Sequence, residues 1–200
     1  FISITIIGEA EEEKITYRDG AKPYELLCVS GDLAAAYCGL MVLEREKAVF
    51  KTNPNMQPEL DDYAYIIERQ LKPEARTDVV RLLEQLNVKP TAMIDISDGL
   101  ASEILHICFQ SNTGCQLFED KIPIDQSAFN TALEFNIEPT TAILNGGEDY
   151  ELLFSVKQED YEKIKNNPDI TIIGHFTDVS EGVQLITRNG QAVPITAQGW

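Results

Sequence analysis

The stretch Met93-Ile94-Asp95-Ile96-Ser97-Asp98-Gly99-Leu100 constrains the fold of this chain more than any other. Ile94 and Ile96 alternate with Asp95 as in a strand leaving a core, and Leu100, Ile104, Leu105 and Cys108 then recur at helical spacing. A strand, a polar corner and a helix over about residues 99–111 therefore follow in immediate succession. Ser97 and Asp98 offer N-cap chemistry to that helix. Together with Asp95 they also set two carboxylates and a hydroxyl at a strand-to-helix junction. Free N–H groups and the helix dipole favour phosphate there, and the carboxylates suit a metal. A helix cap and a metal-and-phosphate site both account for these residues taken alone.

Charge narrows the partners. The formal net charge is −17, from 16 Lys and Arg against 33 Asp and Glu. Such an excess argues against nucleic acid, which requires clustered cations, but not against a nucleotide held through Mg2+. No apolar run approaches the roughly 20 residues of a membrane-spanning helix, so no membrane partner is expected. The four cysteines show no CxxC spacing: Cys28 lies in a strand pattern, and Cys38 and Cys108 lie on helical stripes, as buried free thiols do. His106 and His175 stand far apart, which argues against a histidine-based zinc site. A reducing, cytoplasmic compartment is expected. The chain opens without Met on Phe1-Ile2-Ser3-Ile4-Thr5-Ile6-Ile7, already strand-like, so a preceding segment is expected.

Periodicity and punctuation divide the rest. Strands are expected at residues 2–7, 14–17 and 26–30, and a helix over about 33–47 whose small residues Ala34, Ala35, Ala36 and Gly39 permit close packing. Arg18 and Lys22 put two cations into the loop Arg18-Asp19-Gly20-Ala21-Lys22-Pro23, suited either to solvent or to phosphate. Ser30-Gly31-Asp32 lacks the glycine pattern and Lys of a P-loop and reads as a helix cap. Helices over 61–70 and 75–86 are broken at Leu71-Lys72-Pro73, with Arg69 and Arg76 flanking the break. A strand at 115–118, a helix over 126–135 and a short helix over 160–166 follow. Strands are expected at 170–174, 183–187 and 191–195, the last two joined by the hairpin turn Arg188-Asn189-Gly190. Asn145-Gly146-Gly147-Glu148-Asp149-Tyr150 forms a turn that opens a further strand and admits close backbone approach. Strands and helices mix without strict alternation, which favours an α+β layered fold over a doubly wound parallel sheet.

The ordered set Tyr17-Arg18-Asp19-Gly20-Ala21-Lys22-Pro23, Arg69 to Arg76 around Pro73, Asp95-Ile96-Ser97-Asp98-Gly99-Leu100, Gly146-Gly147-Glu148-Asp149-Tyr150-Glu151-Leu152 and Gly199-Trp200 resembles the thiamine-monophosphate kinase family over essentially the whole chain. That family belongs with aminoimidazole-ribonucleotide synthetase, selenophosphate synthetase and the hydrogenase-maturation factor HypE. The resemblance implies a C-terminal α+β domain, with a mixed, mostly antiparallel sheet packed against helices. Residues 1–20 would be remnant strands of an N-terminal ATP-binding domain and 21–200 the C-terminal domain. It implies Mg2+-dependent transfer of the ATP γ-phosphoryl group to thiamine monophosphate, in a homodimer built through the N-terminal domain. Position by position, Asp95 and Asp98 match Mg2+ ligands, Arg18 and Ser97 match ATP contacts, and Glu148 and Trp200 match substrate contacts. Tyr24-Glu25 departs from the family's Gly-Asp after Pro23. The family's aspartate-rich metal cluster and glycine-rich nucleotide segment are not in this sequence, so weak or no ATP binding is expected of this chain alone, without turnover. Two other readings are a different ATP-using synthetase of the same superfamily and a non-catalytic acidic partner domain.

Overall fold

Strand β1 (Leu26–Ser30) shows how the layers arise: Leu27 and Val29 enter one core and Cys28 enters another, because successive side chains leave opposite faces. The computed structural model describes residues 2–197. Among them, β1 is joined by β2 (Ala92–Asp95), β3 (Gly114–Phe118), β4 (Leu152–Val156), β5 (Ile170–Thr177), β6 (Val183–Ile186) and β7 (Ala192–Pro194) in the order β2-β4-β1-β5-β3-β6-β7. Every pair is antiparallel except β3 with β6. The expected mixed, mostly antiparallel α+β architecture is the one observed.

The larger core lies under α1 (Ala35–Thr52), α2 (Ala64–Leu71), α4 (Leu100–Ser111), α5 (Gln126–Glu134) and α6 (Pro139–Asn145). The smaller lies under α3 (Thr77–Gln85) and α7 (Tyr161–Ile164), which cover Cys28, Phe154 and Val156 with Val79, Leu83 and Ile164. Fully burying side chains such as Leu27 and Phe154 stabilises the fold by about 1.5–3 kcal/mol each. Gly39 allows α1 and α2 to touch, since a Cβ there would stand 2.1 Å from the Ile66 carbonyl oxygen.

Several elements differ from expectation. Residues 2–7 form no strand; Ile2, Ile4, Ile6 and Ile7 are exposed, and their backbone finds no neighbouring strand to pair with. Residues 14–17 are not a strand either: Glu12–Lys14 is a short 3-10 turn, and Tyr17 contributes only its carbonyl, which accepts from the Met93 N–H at 2.9 Å. Helix α6 was not anticipated; its seven residues are too few for periodicity to declare, though Pro139 in its first turn and the Glu138 cap are start signals. Ser30-Gly31-Asp32 does not cap α1, whose first amides turn to a residue far along the chain.

Candidate functional site

Asp95 ends β2 opposite Leu152 of β4, and the pairing does not stop there. The Ile96 N–H donates to the Glu151 carbonyl (2.8 Å), the Tyr150 N–H to the Ile96 carbonyl (2.9 Å) and the Glu148 N–H to the Ser97 carbonyl (2.8 Å). These bonds stitch the Asp95–Asp98 corner to the Gly-Gly-Glu-Asp turn and bring Asp95, Ser97, Asp98 and Glu148 into one region. Asp95 and Asp98 are exposed, and Glu148 and Tyr150 are half-buried. The Tyr150 hydroxyl donates to Glu148 Oε2 at 3.1 Å. Burial, the Glu148 carboxylate and the charges of Asp95 and Asp98 all push its pKa up, so it remains a donor.

The turn is bent in an unusual way. Gly147 (φ 67°), Glu148 (φ 63°) and Tyr150 (φ 52°) all occupy the left-handed region, which costs roughly 1–2 kcal/mol for each non-glycine residue. The intervening acids hold it in place. Asp149, 3% exposed, accepts from the Ala34 N–H (2.8 Å) and the Ala36 N–H (3.2 Å), and so caps α1 from a distant part of the chain. Burial pushes its carboxyl up to about 7, against the opposing pull of those amides and Arg69. Glu151, 1% exposed, pairs with Arg69 at 2.9 Å and with Arg76, and the Ser30 hydroxyl donates to it as well. Gly31 (φ 54°) has no room for a side chain because Glu151 Oε1 would lie 2.5 Å from its Cβ.

At the corner itself, neither Ser97 nor Asp98 caps α4. Gly99, at φ 108°, is the residue before the helix, and a Cβ there would meet the Leu144 carbonyl oxygen at 2.6 Å. Glu103 reaches back instead: its Oε1 accepts from the Asp98 N–H (3.2 Å) and lies 3.4 Å from the Ser97 hydroxyl. Its other oxygen has no partner among the described residues, and burial pushes its pKa up. The carboxylates of Asp95 and Asp98 make no hydrogen bond or ion pair to the described residues, so the cap reading of this corner fails.

Arg18 borders the same region. Thr16, Tyr17 and Arg18 line a groove of about 480 Å³ with Met93, Ile94, Asp95, Gln110 and Leu152, and the Arg18 side chain is exposed. Trp200 lies outside the described residues. Tyr24, at the departure after Pro23, holds φ 71°, a conformation that glycine adopts without strain.

No group of three or more His, Cys, Asp and Glu suited to a metal occurs among the described residues. Two free, exposed aspartates nonetheless fit Mg2+, which takes one or two carboxylates and keeps waters and substrate phosphates for the rest. Sequence reasoning missed Glu103, Tyr150 and the anchoring roles of Asp149 and Glu151. Glu103 had left a signal, an acid on the otherwise apolar stripe of Leu100, Ile104 and Ile107, all of which are buried.

A seven-strand mixed sheet, helices on both faces and an acidic strand-to-helix junction beside the edge strand β2 define an α+β domain with an exposed acidic corner. The chain belongs to the family of the AIR synthase related protein, C-terminal domain, whose model matches residues 26–186. It is 31% identical to a thiamine-monophosphate kinase of Bacillus subtilis (strain 168), over 100% of this chain and 59% of that protein. It is also 31% identical to one of Aquifex aeolicus (strain VF5), over 100% of this chain and 58% of that protein. The chain thus spans less than two thirds of these curated relatives. Among solved structures, AaThiL complexed with AMPPCP and TMP superposes with a TM-score of 0.72 at 28% identity, covering 92% of this chain and 53% of that one. The hydrogenase maturation protein HypE in complex with ATP shares the fold at 20% identity, with a TM-score of 0.65 over 94% of this chain and 55% of that one. No described helix is long and apolar enough to cross a membrane.

Proposed function

We propose that the complete polypeptide carrying this chain transfers the γ-phosphoryl group of ATP to the phosphate of thiamine monophosphate, releasing ADP and thiamine diphosphate. The observation that carries the reading is the backbone pairing of Glu148 with Ser97, which gathers a candidate substrate carboxylate and a candidate metal-and-phosphate corner in one region. Relatives named thiamine-monophosphate kinase support the substrate, and the AMPPCP and TMP complex of AaThiL supports the pairing of nucleotide with acceptor.

In this reading Arg18 and Ser97 contact ATP, Asp95 and Asp98 hold Mg2+, and Glu148 and Trp200 hold thiamine monophosphate. Mg2+, when bound, neutralises charge on the phosphates. The acceptor is itself a phosphate oxygen, so the chain's residues orient and neutralise rather than abstract a proton. The indole of Trp200 would stack on the cationic thiazolium. Residues 1–20 would belong to an upstream ATP-binding domain and 21–200 to this one, in a cytoplasmic homodimer formed through the upstream part. The exposed, strandless Ile2, Ile4, Ile6 and Ile7 support a partner outside this domain for residues 2–7, whereas Tyr17 and Arg18 already contact it.

Turnover of the complete polypeptide with ATP, Mg2+ and thiamine monophosphate tests the activity; no thiamine diphosphate formed would sink it. Trp200→Ala and Glu148→Ala should raise KM for thiamine monophosphate far more than KM for ATP. If neither matters, the acceptor is wrong and another synthetase-type substrate is indicated. Calorimetric titration of this chain alone with Mg-ATP should give little heat, and micromolar binding would break the expectation that an upstream domain completes the site.

A further inference from the structure

We propose that Tyr150 is a positioning residue, whose phenol holds one oxygen of the Glu148 carboxylate so that the other is presented to an N–H of the acceptor substrate. The inference rests on the reading of Glu148 as a contact of thiamine monophosphate and goes beyond it to a residue with no role so far.

Along the turn, successive side chains divide between two tasks. Asp149 and Glu151 point into the protein, where backbone amides, two arginines and a hydroxyl hold them. Glu148 and Tyr150 are the half-buried pair, and they are bonded to each other. Both hold left-handed backbone, which persists only where surrounding contacts enforce it and which clusters at functional positions. The backbone bonds to Ile96 and Ser97 fix where the two residues start, but they leave the long Glu148 side chain free to rotate. The phenol removes that freedom. It occupies Glu148 Oε2, and the remaining oxygen has no partner among the described residues. Backbone pairing sets Glu148 beside the Asp95–Asp98 corner, so its carboxylate competes with those of Asp95 and Asp98 for any cation bound there. The donor on Oε2 keeps Glu148 committed to the acceptor rather than to the metal. A carboxylate presented in this way suits a ring amine or amidine-like N–H, such as an aminopyrimidine offers.

The test is steady-state kinetics of the complete polypeptide. Tyr150→Phe removes only the hydroxyl and keeps the ring. It should raise KM for thiamine monophosphate by about tenfold, the usual cost of losing one hydrogen bond to a charged group, with KM for ATP, kcat and Tm nearly unchanged. In a Glu148→Gln background the same change should add less than about twofold, because the two residues act as one unit. An unchanged KM for thiamine monophosphate in Tyr150→Phe overturns the inference. So does a joint rise of both KM values with a fall in Tm, which would make Tyr150 a packing residue. An inactive wild type overturns the functional reading itself, whereas an active wild type with an indifferent Tyr150→Phe overturns this inference alone.

Discussion

Two sets of acids lie side by side in this molecule and behave in opposite ways. Asp149 and Glu151 are buried and fully engaged, one by the amides at the start of α1 and the other by Arg69, Arg76 and Ser30. The carboxylates of Asp95 and Asp98 are exposed and make no hydrogen bond or ion pair to the described residues. A buried carboxylate is tolerated only with partners, so the first set is committed to holding the turn. An exposed carboxylate pair keeps its lone pairs for a cation from outside, so the second set can serve chemistry. Residue type does not separate the anchoring acids from the exposed ones in this region; satisfaction does.

The largest expected effect breaks the engaged set. Glu151→Ala leaves Arg69 and Arg76 facing each other without their shared anion, and should cost about 3–5 kcal/mol of stability in urea unfolding. A loss below about 1 kcal/mol would show that the clamp is incidental. Next comes the free set. Asp98→Asn in the complete polypeptide should lower turnover about 100-fold or more while shifting stability by less than about 0.5 kcal/mol. The reverse outcome, lost stability with intact turnover, would restore the cap reading and the non-catalytic alternative.

A pH-dependent effect is expected from Asp149. Its folded pKa is raised to about 7, so between the ordinary aspartate value and pH 7 the native state holds a proton that the unfolded state has lost. That contribution is fully present below about pH 4 and is lost as pH rises toward 7. The stability of wild type relative to Asp149→Asn should therefore fall across this window in thermal unfolding. A flat difference would mean that Asp149 stays ionised on the amides of Ala34 and Ala36. The smallest effect is expected at Glu103: Glu103→Gln keeps an acceptor for the Asp98 N–H and should change stability by less than about 1 kcal/mol by urea unfolding.

Much of the architecture was legible along the chain. Strand β1 falls where its β pattern placed it, and Gly39 marks the close crossing of α1 and α2 as the run of small residues suggested. The isoleucines at 2–7 misled because β-branched spacing reports strand propensity and not the presence of a partner strand. Of the site, Asp95, Ser97 and Asp98 stood out by their local pattern and Glu148 by the family resemblance, and backbone pairing joins the two segments that carry them. Arg18 lines the groove beside Asp95, and Trp200 falls outside the described residues. Tyr150 gave no signal, since one aromatic after two acids reads as ordinary strand packing.

From the sequence alone came the layered α+β class, the strongly acidic net charge, and a strand-to-helix corner carrying two carboxylates and a hydroxyl. Each of these depends on side-chain periodicity over a few neighbouring residues or on the summed composition of the chain. Only the tertiary structure decided that Gly99 and Glu103, not Ser97 or Asp98, shape the start of α4. The same holds for Asp149 capping a helix more than a hundred residues earlier in the chain and for Tyr150 meeting Glu148 beside the corner. Those outcomes depend on which buried polar groups find one another once distant segments pair. That competition is settled by burial and hydrogen-bond satisfaction across the whole domain, and no local window of the chain contains it.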